Sequence, residues 1–514
     1  MEPAETEDLE LFTEGPRFWT RETLHQVVER VLGNRRFIVV SNREPYIHRF
    51  RGEAVVCERP VSGLVTALEP VMRACGGIWV AHGSGNADRD VIDTHDHVAV
   101  PPEHPEYLLR RVWLSKSDED DYYYGFANEG LWPLCHIAYQ RPIFEAHDWE
   151  AYRRVNRLFA DVVLAEAQDG DAIVLIQDYH FALLPLMLRA ARPDMLIALF
   201  WHIPWPNREA FRVCPWGREI IEGLLGNDLL GFHIRYHCQN FLETVASTTE
   251  ALVNYESSAV IRSGRATLVR PFPISLDIEA ISQQAMSAPT TRRMQELQHQ
   301  LGLRHQRVLL GIDRIDYTKG IPERLRAFDR LLVAHPELTS KVRFVQIGAP
   351  SRTRIARYQE LANEISALVE DINWKHARDH WLPIIYRDES HTPEDLLALY
   401  RLADVCVTSP LHDGMNLVAK EYVAARADGD GVLVLSEFTG SARELEDSLQ
   451  INPYAVDETA STLYQALCME GAERRARMAA LRETVARNNI YRWAGKMVTA
   501  LGRIAARRSL EVTA

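Results

Sequence analysis

The stretch Val308-Leu-Leu-Gly-Ile-Asp-Arg-Ile-Asp-Tyr-Thr-Lys-Gly-Ile-Pro322 passes from an apolar run into a charged segment and then into a helix start. Val308–Ile312 reads as a buried strand, and Gly320-Ile-Pro322 opens a helix whose apolar face is Leu325, Phe328 and Leu332. Buried strands alternating with such helices make a parallel sheet covered on both faces. Outward from this stretch the pattern repeats, with Val342–Ile347, Val405–Thr408 and Val432–Leu435 as further strands. Upstream, Phe37–Val40, Ile173–Ile176, Leu196–Trp201 and Leu229–Phe232 read the same way, and Tyr152, Val155, Phe159 and Val162/Val163 mark one helix face. A polar stretch near Ser282–Gln306, including Ser287-Ala-Pro-Thr-Thr291, separates the two series. The expected fold is α/β, with two doubly wound Rossmann-like domains facing a central cleft. Their expected bounds are 36–275 and 276–490, after an extension 1–35 with an amphipathic helix over Arg21–Leu32.

Two segments carry chemistry, and both belong at the carboxyl ends of strands, where open α/β sheets bind ligands. Asp313–Gly320 offers Arg314 and Lys319, a guanidinium that can fork onto two phosphate oxygens and a compact ammonium. Leu411-His-Asp-Gly-Met-Asn-Leu-Val-Ala-Lys-Glu421 is a loop running into a helix, whose free N–H groups can receive a diphosphate. Asp413 is placed to accept from sugar hydroxyls, and Glu421, two helical turns further along on this reading, from a ribose diol. An isolated Asp-Gly is usually a turn, and an isolated Arg…Lys pair usually a solvated surface. Their joint occurrence points instead to an enzyme that handles an activated sugar, because fixed cations and amides stabilise a departing nucleoside diphosphate.

Composition sets the outer bounds. A chain of 514 residues exceeds what one core supports, and 46% apolar with 25% charged residues is the balance of a globular protein. The net charge of −13 argues against a nucleic-acid partner. The start lacks a basic then apolar signal segment and no run is long enough for a membrane span, so a cytoplasmic protein without a membrane partner is expected. Seven scattered cysteines with no Cys-x-x-Cys pair indicate neither a disulfide framework nor a zinc site. Nineteen histidines show no metal-ligand spacing, so no metal and no cofactor are expected.

With these residues in hand the chain resembles the trehalose-6-phosphate synthases, retaining glycosyltransferases of the GT-B fold. The resemblance runs from about Phe37 to Trp493 and rests on an ordered set of motifs. These are Ser41-Asn-Arg43, Tyr122-Tyr123 with Leu131-Trp-Pro133, Asp178-Tyr-His180, His202-Ile-Pro204, Asp316–Gly320, Ser351-Arg352, Asp413–Tyr422 and Asn452-Pro-Tyr454. It implies that Arg43, Tyr123, Trp132, Asp178 and Arg352 surround a sugar-phosphate acceptor, the arginines holding its phosphate. It implies that Gly63 lies in a loop over the donor, and that Arg314, Lys319, Asp413, Asn416, Leu417, Val418 and Glu421 form the donor site. His202 would stand beside the transferred sugar. Taken alone, Tyr123 and Trp132 would be packed aromatics, His202 a core histidine and Arg352 a surface residue. Ser62 replaces a glycine common in the donor loop and His412 a basic residue, so the donor's base is left open.

The reaction this resemblance implies is transfer of glucose from a nucleotide donor, expected to be UDP-glucose, to glucose 6-phosphate. A separate phosphatase would act on the product, since no phosphatase signature follows residue 421. The resemblance further implies that a final helix, 491–514, crosses back to the first domain. The sister enzyme glucosylglycerol-phosphate synthase, using ADP-glucose and glycerol 3-phosphate, and a catalytically silent sugar-phosphate sensor are the alternatives. Tyr123 and Trp132 suit a sugar ring, and intact donor residues disfavour the sensor. A homo-oligomer is left open.

Overall fold

The computed structural model describes residues 19–513 apart from 34, 61–62, 169–170 and 304. Ser62 and most of the extension 1–35 therefore lie outside the described residues. The chain divides into two compact units, one of Met1–Ile274 with Asn489–Ala514 and one of Ser275–Asn488. No helix of the described residues is long and apolar enough to cross a membrane.

Unit 1 is built on a ten-stranded sheet. Its strands are β1 (Arg36–Arg43), β4 (Ile78–His82), β5 (His97–Val100), β6 (Tyr107–Val112), β7 (Ala172–Gln177), β8 (Leu196–Phe200), β9 (Leu229–Phe232), β10 (Leu252–Asn254), β11 (Ala259–Arg262) and β12 (Arg265–Pro271), while β2 (Ile47–Arg51) and β3 (Ala54–Glu58) form a separate hairpin. The order is β10-β11-β12-β9-β8-β7-β1-β4-β6-β5, parallel from β12 through to β6. Strand order therefore reverses between β1 and β7. The central strands β7, β8 and β9 are mostly apolar and buried at every position because both faces are covered.

Helix α1 (Arg21–Leu32) is capped by Thr20, whose side chain accepts from the Thr23 amide, and it buries Leu24, Val28, Val31 and Leu32. It packs on α2 (Gly63–Cys75) and on the C-terminal helix Ile490–Thr513. There the Asn489 side chain donates to the Trp19 carbonyl at 2.8 Å. Helix α3 (Ala146–Ala167) buries Tyr152, Val155, Phe159 and Val163.

Unit 2 holds a six-stranded, wholly parallel sheet of β13 (Arg307–Arg314), β14 (Val342–Ala349), β15 (Ile384–Arg387), β16 (Val405–Thr408), β17 (Val432–Ser436) and β18 (Leu449–Ile451). The order β15-β14-β13-β16-β17-β18 puts its reversal between β13 and β16. The stretch Ser282–Gln306, read from sequence as a polar separator, is instead largely helical over Ile278–Ala285 and Ala288–Gln300. Ser287 caps the second of these and Pro289 sits in its first turn, so the turn-forming residues mark a helix start.

Candidate active site

In unit 2 the candidate residues gather at the β13/β16 reversal, where open parallel sheets present a ligand site. Arg314 is the last residue of β13. After it, Asp316 caps the turn Tyr317–Lys319, its Oδ1 accepting from the Thr318 amide (3.0 Å) and hydroxyl (2.9 Å). Gly320 then turns the chain into α4 (Ile321–Ala334) with φ +60, and a side chain there would strike the Ser409 carbonyl. The Ser409 hydroxyl donates to the Gly320 carbonyl (3.0 Å), and the Leu411 amide to that of Thr318 (2.7 Å). The loop after β16 is thereby stitched to the turn after β13.

That stitching brings Lys319 to Asp413, with Nζ 2.6 Å from Oδ2. Asn416 caps α5 (Leu417–Ala425), its Oδ1 accepting from the Ala419 amide at 3.0 Å while Nδ2 reaches Asp413 at 3.4 Å. Leu417 and Val418 are the first two residues of α5, so their amides belong to the open N-terminus. Glu421 stands one turn into α5, not two turns beyond Asp413, because Asp413–Asn416 is loop rather than helix. The Tyr400 hydroxyl donates to Glu421 Oε2 at 2.9 Å. Lys420, next along, is buried on Glu444 (2.6 Å).

Beneath this surface lie paired charges. Arg324 bonds Asp313 Oδ2 at 2.5 Å, both fully buried, and also the Val407 carbonyl. Arg352, in the segment after β14 with φ +48, is folded inward onto Asp316 Oδ2 (3.0 Å) and the Tyr358 hydroxyl (2.5 Å). It is a buried residue of an ion pair, not an exposed one. Burial alone would raise the Asp316 pKa, but Arg352, Arg314 and Lys319 carry it below the usual value.

In unit 1 the candidates gather at the β1/β7 reversal. Arg43 ends β1 and donates through Nη2 to the Tyr123 hydroxyl at 3.2 Å. Tyr123 lies on a π-helical stretch, Glu119–Leu131, and stacks on His180 with ring centroids 5.8 Å apart. Asn128 ties this stretch down, Nδ2 donating to the Tyr123 carbonyl (2.6 Å) and Oδ1 accepting from the Tyr179 hydroxyl (2.9 Å). Trp132 follows directly, packed on His136 and Tyr179. Asp178, just past β7 with φ +75, accepts through Oδ1 from the amides of Tyr179 (2.9 Å) and His202 (3.1 Å), clamping the ends of β7 and β8 together. His202 Nε2 lies 2.8 Å from Gln177 Oε1, and burial pushes its pKa down to about 3, so the imidazole is neutral.

Arg43, Tyr123, Trp132, Asp178 and His202 are thus joined in unit 1 by direct contacts or one shared neighbour, and Arg314, Lys319, Asp413, Asn416 and Glu421 cluster in unit 2. Gly63 is the exposed first residue of α2 and shares no hydrogen bond with them among the described residues. Asp316, His180, Gln177 and Tyr400 were not singled out from sequence. Asp316 and His180 lie inside quoted motifs, whereas Tyr400 reaches its partner from a separate helix, Pro393–Leu402, and no local pattern marks it. Among the described residues one group could hold a metal ion, Asp121, His147 and Asp148, with Asp121 on the same π-helical stretch as Tyr123.

The model of glycosyltransferase family 20 matches residues 35–503. A trehalose-6-phosphate synthase of Mycobacterium avium is 41% identical over 477 residues, covering 91% of this chain and 96% of its own. A solved E. coli structure, described as trehalose-6-phosphate bound with UDP-2-fluoro glucose, is 32% identical with a TM-score of 0.81, over 91% of this chain and 99% of that one. A Burkholderia xenovorans α,α-trehalose-phosphate synthase (UDP-forming) in complex with glucose-6-phosphate matches equally, at 32% and 0.81 over 91% and 100%. On sequence and on fold alike, this chain belongs to glycosyltransferase family 20.

Proposed function

We propose that the protein is a trehalose-6-phosphate synthase that transfers glucose from UDP-glucose to the anomeric hydroxyl of glucose 6-phosphate, with retention. The observation that carries this reading is the Lys319–Asp413 pair, which joins the turn after Arg314 to the loop that leads into the N-terminus of α5. It is a ready receptor for a diphosphate and the sugar attached to it. Arg314, Lys319 and the amides of Leu417 and Val418 hold the diphosphate, Asp413 and Asn416 the transferred sugar, and Glu421 the ribose. In unit 1, Tyr123, Trp132 and Asp178 shape the acceptor's ring site and His202 stands beside the transferred glucose. Arg43 and Arg352 supply the cations for the acceptor's phosphate, and Gly63 belongs to the donor loop.

In the reaction the bond from the glucosyl C1 to the diphosphate oxygen breaks and a bond from C1 to the acceptor's hydroxyl oxygen forms. The hydroxyl proton passes to the departing diphosphate oxygen, so no pair of catalytic carboxylates is needed. Protein cations take the growing charge, and we assign no metal. The product's phosphate is left for a separate phosphatase, and we place the enzyme in the cytoplasm.

The test is nucleotide release from UDP-, GDP- and ADP-glucose, each with glucose 6-phosphate or glycerol 3-phosphate, with products identified by NMR. Release with UDP-glucose and glucose 6-phosphate, giving an α,α-linked disaccharide phosphate, is expected. Activity only with glycerol 3-phosphate would overturn the acceptor, and silence in every combination would overturn the enzyme.

A further inference from the structure

We propose that Tyr400 is a positioning residue for the donor, holding one oxygen of Glu421 so that the other meets the nucleoside's vicinal hydroxyls. The inference rests on the reading of Glu421 as the ribose acceptor. Tyr400 lies on the helix Pro393–Leu402 and is 1% exposed, packed among the apolar residues of the unit 2 core. From there its hydroxyl reaches Glu421 Oε2 at 2.9 Å and is the one side-chain donor to that carboxylate among the described residues. Glu421 itself is only partly buried. One oxygen is therefore tied from inside the fold and the other is left to a ligand. Glu421 stands four residues into α5, about 6 Å along the axis from its open amides. That is a ribose-sized step from where a diphosphate would sit.

The bond also fixes which way hydrogen bonds run. An ionised carboxylate accepts from both hydroxyls of a diol, whereas a protonated one offers a donor of its own and loses an acceptor. Burial raises the Glu421 pKa, and the Tyr400 hydrogen bond opposes that rise. Tyr400 stays a donor, because burial and then Glu421 push its own pKa far up. The other titratable groups near the pair are Cys406 on β16 and Asp313 on β13, both raised by burial, with Arg324 opposing the rise at Asp313. Glu421 is the group whose carboxylate loses its donor when the phenol is removed.

The test is steady-state kinetics of Tyr400→Phe and Glu421→Ala beside the wild type at pH 6.5 and 8.5. Tyr400→Phe keeps the ring in the core and removes one hydrogen bond to a charge, so the UDP-glucose KM should rise about tenfold at pH 6.5. The rise should shrink at pH 8.5 as Glu421 regains its charge, while kcat and the glucose 6-phosphate KM hold. A phenylalanine variant within twofold of wild type at both pH values, with Glu421→Ala strongly weakened, would overturn the role of Tyr400 alone. An unchanged donor KM in Glu421→Ala would instead remove Glu421 from the ribose and the proposal with it. Calorimetric binding of UDP-glucose, whose diphosphate does not titrate in this range, to the wild type guards against a variant that does not fold. Affinity independent of pH from 6 to 8.5 is expected, and affinity that weakens as pH falls would overturn the proposal.

Discussion

The two clusters stand at the same topological position, the strand-order reversal of a parallel sheet, yet they are made of opposite materials. In unit 2 cations meet carboxylates: Arg324 on Asp313, Arg352 on Asp316 and Lys319 on Asp413. In unit 1 the contacts are mostly rings and amides: Tyr123 on His180, Trp132 on Tyr179, Asn128 between two tyrosines and a neutral His202, with Arg43 tied to a phenol and the Asp178 carboxylate to two backbone amides. The difference follows the ligands proposed for each. A diphosphate that gains charge as it leaves needs cations fixed beforehand, and bare cations packed this closely would repel one another. The carboxylates beneath hold them in place. A sugar ring offers apolar faces and hydroxyls, which aromatic planes and amides recognise without buried charge.

The sharpest way to break this comparison is to remove a buried cation from unit 2. Arg352→Ala leaves Asp316 facing the core without its direct partner, and a loss of about 3 kcal/mol is expected, read from the denaturant midpoint. On the proposed role it should also raise the glucose 6-phosphate KM more than that of the donor. An unchanged midpoint would mean that Asp316 is held by Arg314 and Lys319 alone. Next in size, Arg314→Ala should lower turnover on the order of 10², if the guanidinium stabilises the leaving group, with less effect on acceptor binding. Unchanged turnover would remove Arg314 from the transition state.

How far the sequence foretold these two materials differs in the same way. The unit 2 cluster was legible because its members fall in two short runs, Asp313–Gly320 and Leu411–Glu421, each joining a strand end to a helix start. Spacing alone then implies proximity. The helix placement erred, since Asp413–Asn416 looks helical only if the Asn416 cap, φ +79, goes unrecognised. In unit 1 the strands β1, β7, β8 and β9 were visible as apolar runs, but the hairpin β2–β3 and the strands near the sheet edges were not, because half-exposed strands carry no such run. Arg43, Tyr123, Asp178 and His202 come from four separated segments, and resemblance rather than spacing named them. The π-helical stretch that aims Tyr123 has no sequence signal of its own. Tyr400 and Gln177 act through tertiary contacts, which periodicity cannot report.

A gentler change sharpens the other side of the comparison. Tyr123→Phe keeps the stack on His180 and removes only the hydroxyl that receives Arg43. A loss of about 1 kcal/mol, a several-fold rise in the glucose 6-phosphate KM, is expected with kcat nearly unchanged. A collapse in turnover would show that this ring takes part in the chemistry rather than in shaping the acceptor site.

The smallest expected effect concerns His202, and it tests whether the imidazole of the unit 1 cluster is uncharged. With its pKa held near 3, the imidazole stays neutral at any pH at which the enzyme works, and the kcat profile should show no inflection from it between pH 5.5 and 8.5. Stability should still record it. The folded pKa lies below the ordinary value of about 6.5, so as pH falls the unfolded chain takes up a proton that the folded chain refuses. The contribution is therefore whole above pH 6.5 and declines from there toward pH 3, and His202→Asn should flatten that part of the stability curve. An NMR titration of the His202 ring is the direct measurement. A midpoint near 6.5 would add a cationic imidazole to Arg43 and Asp178 in that cluster, and the contrast between the two units would then rest on the aromatics alone.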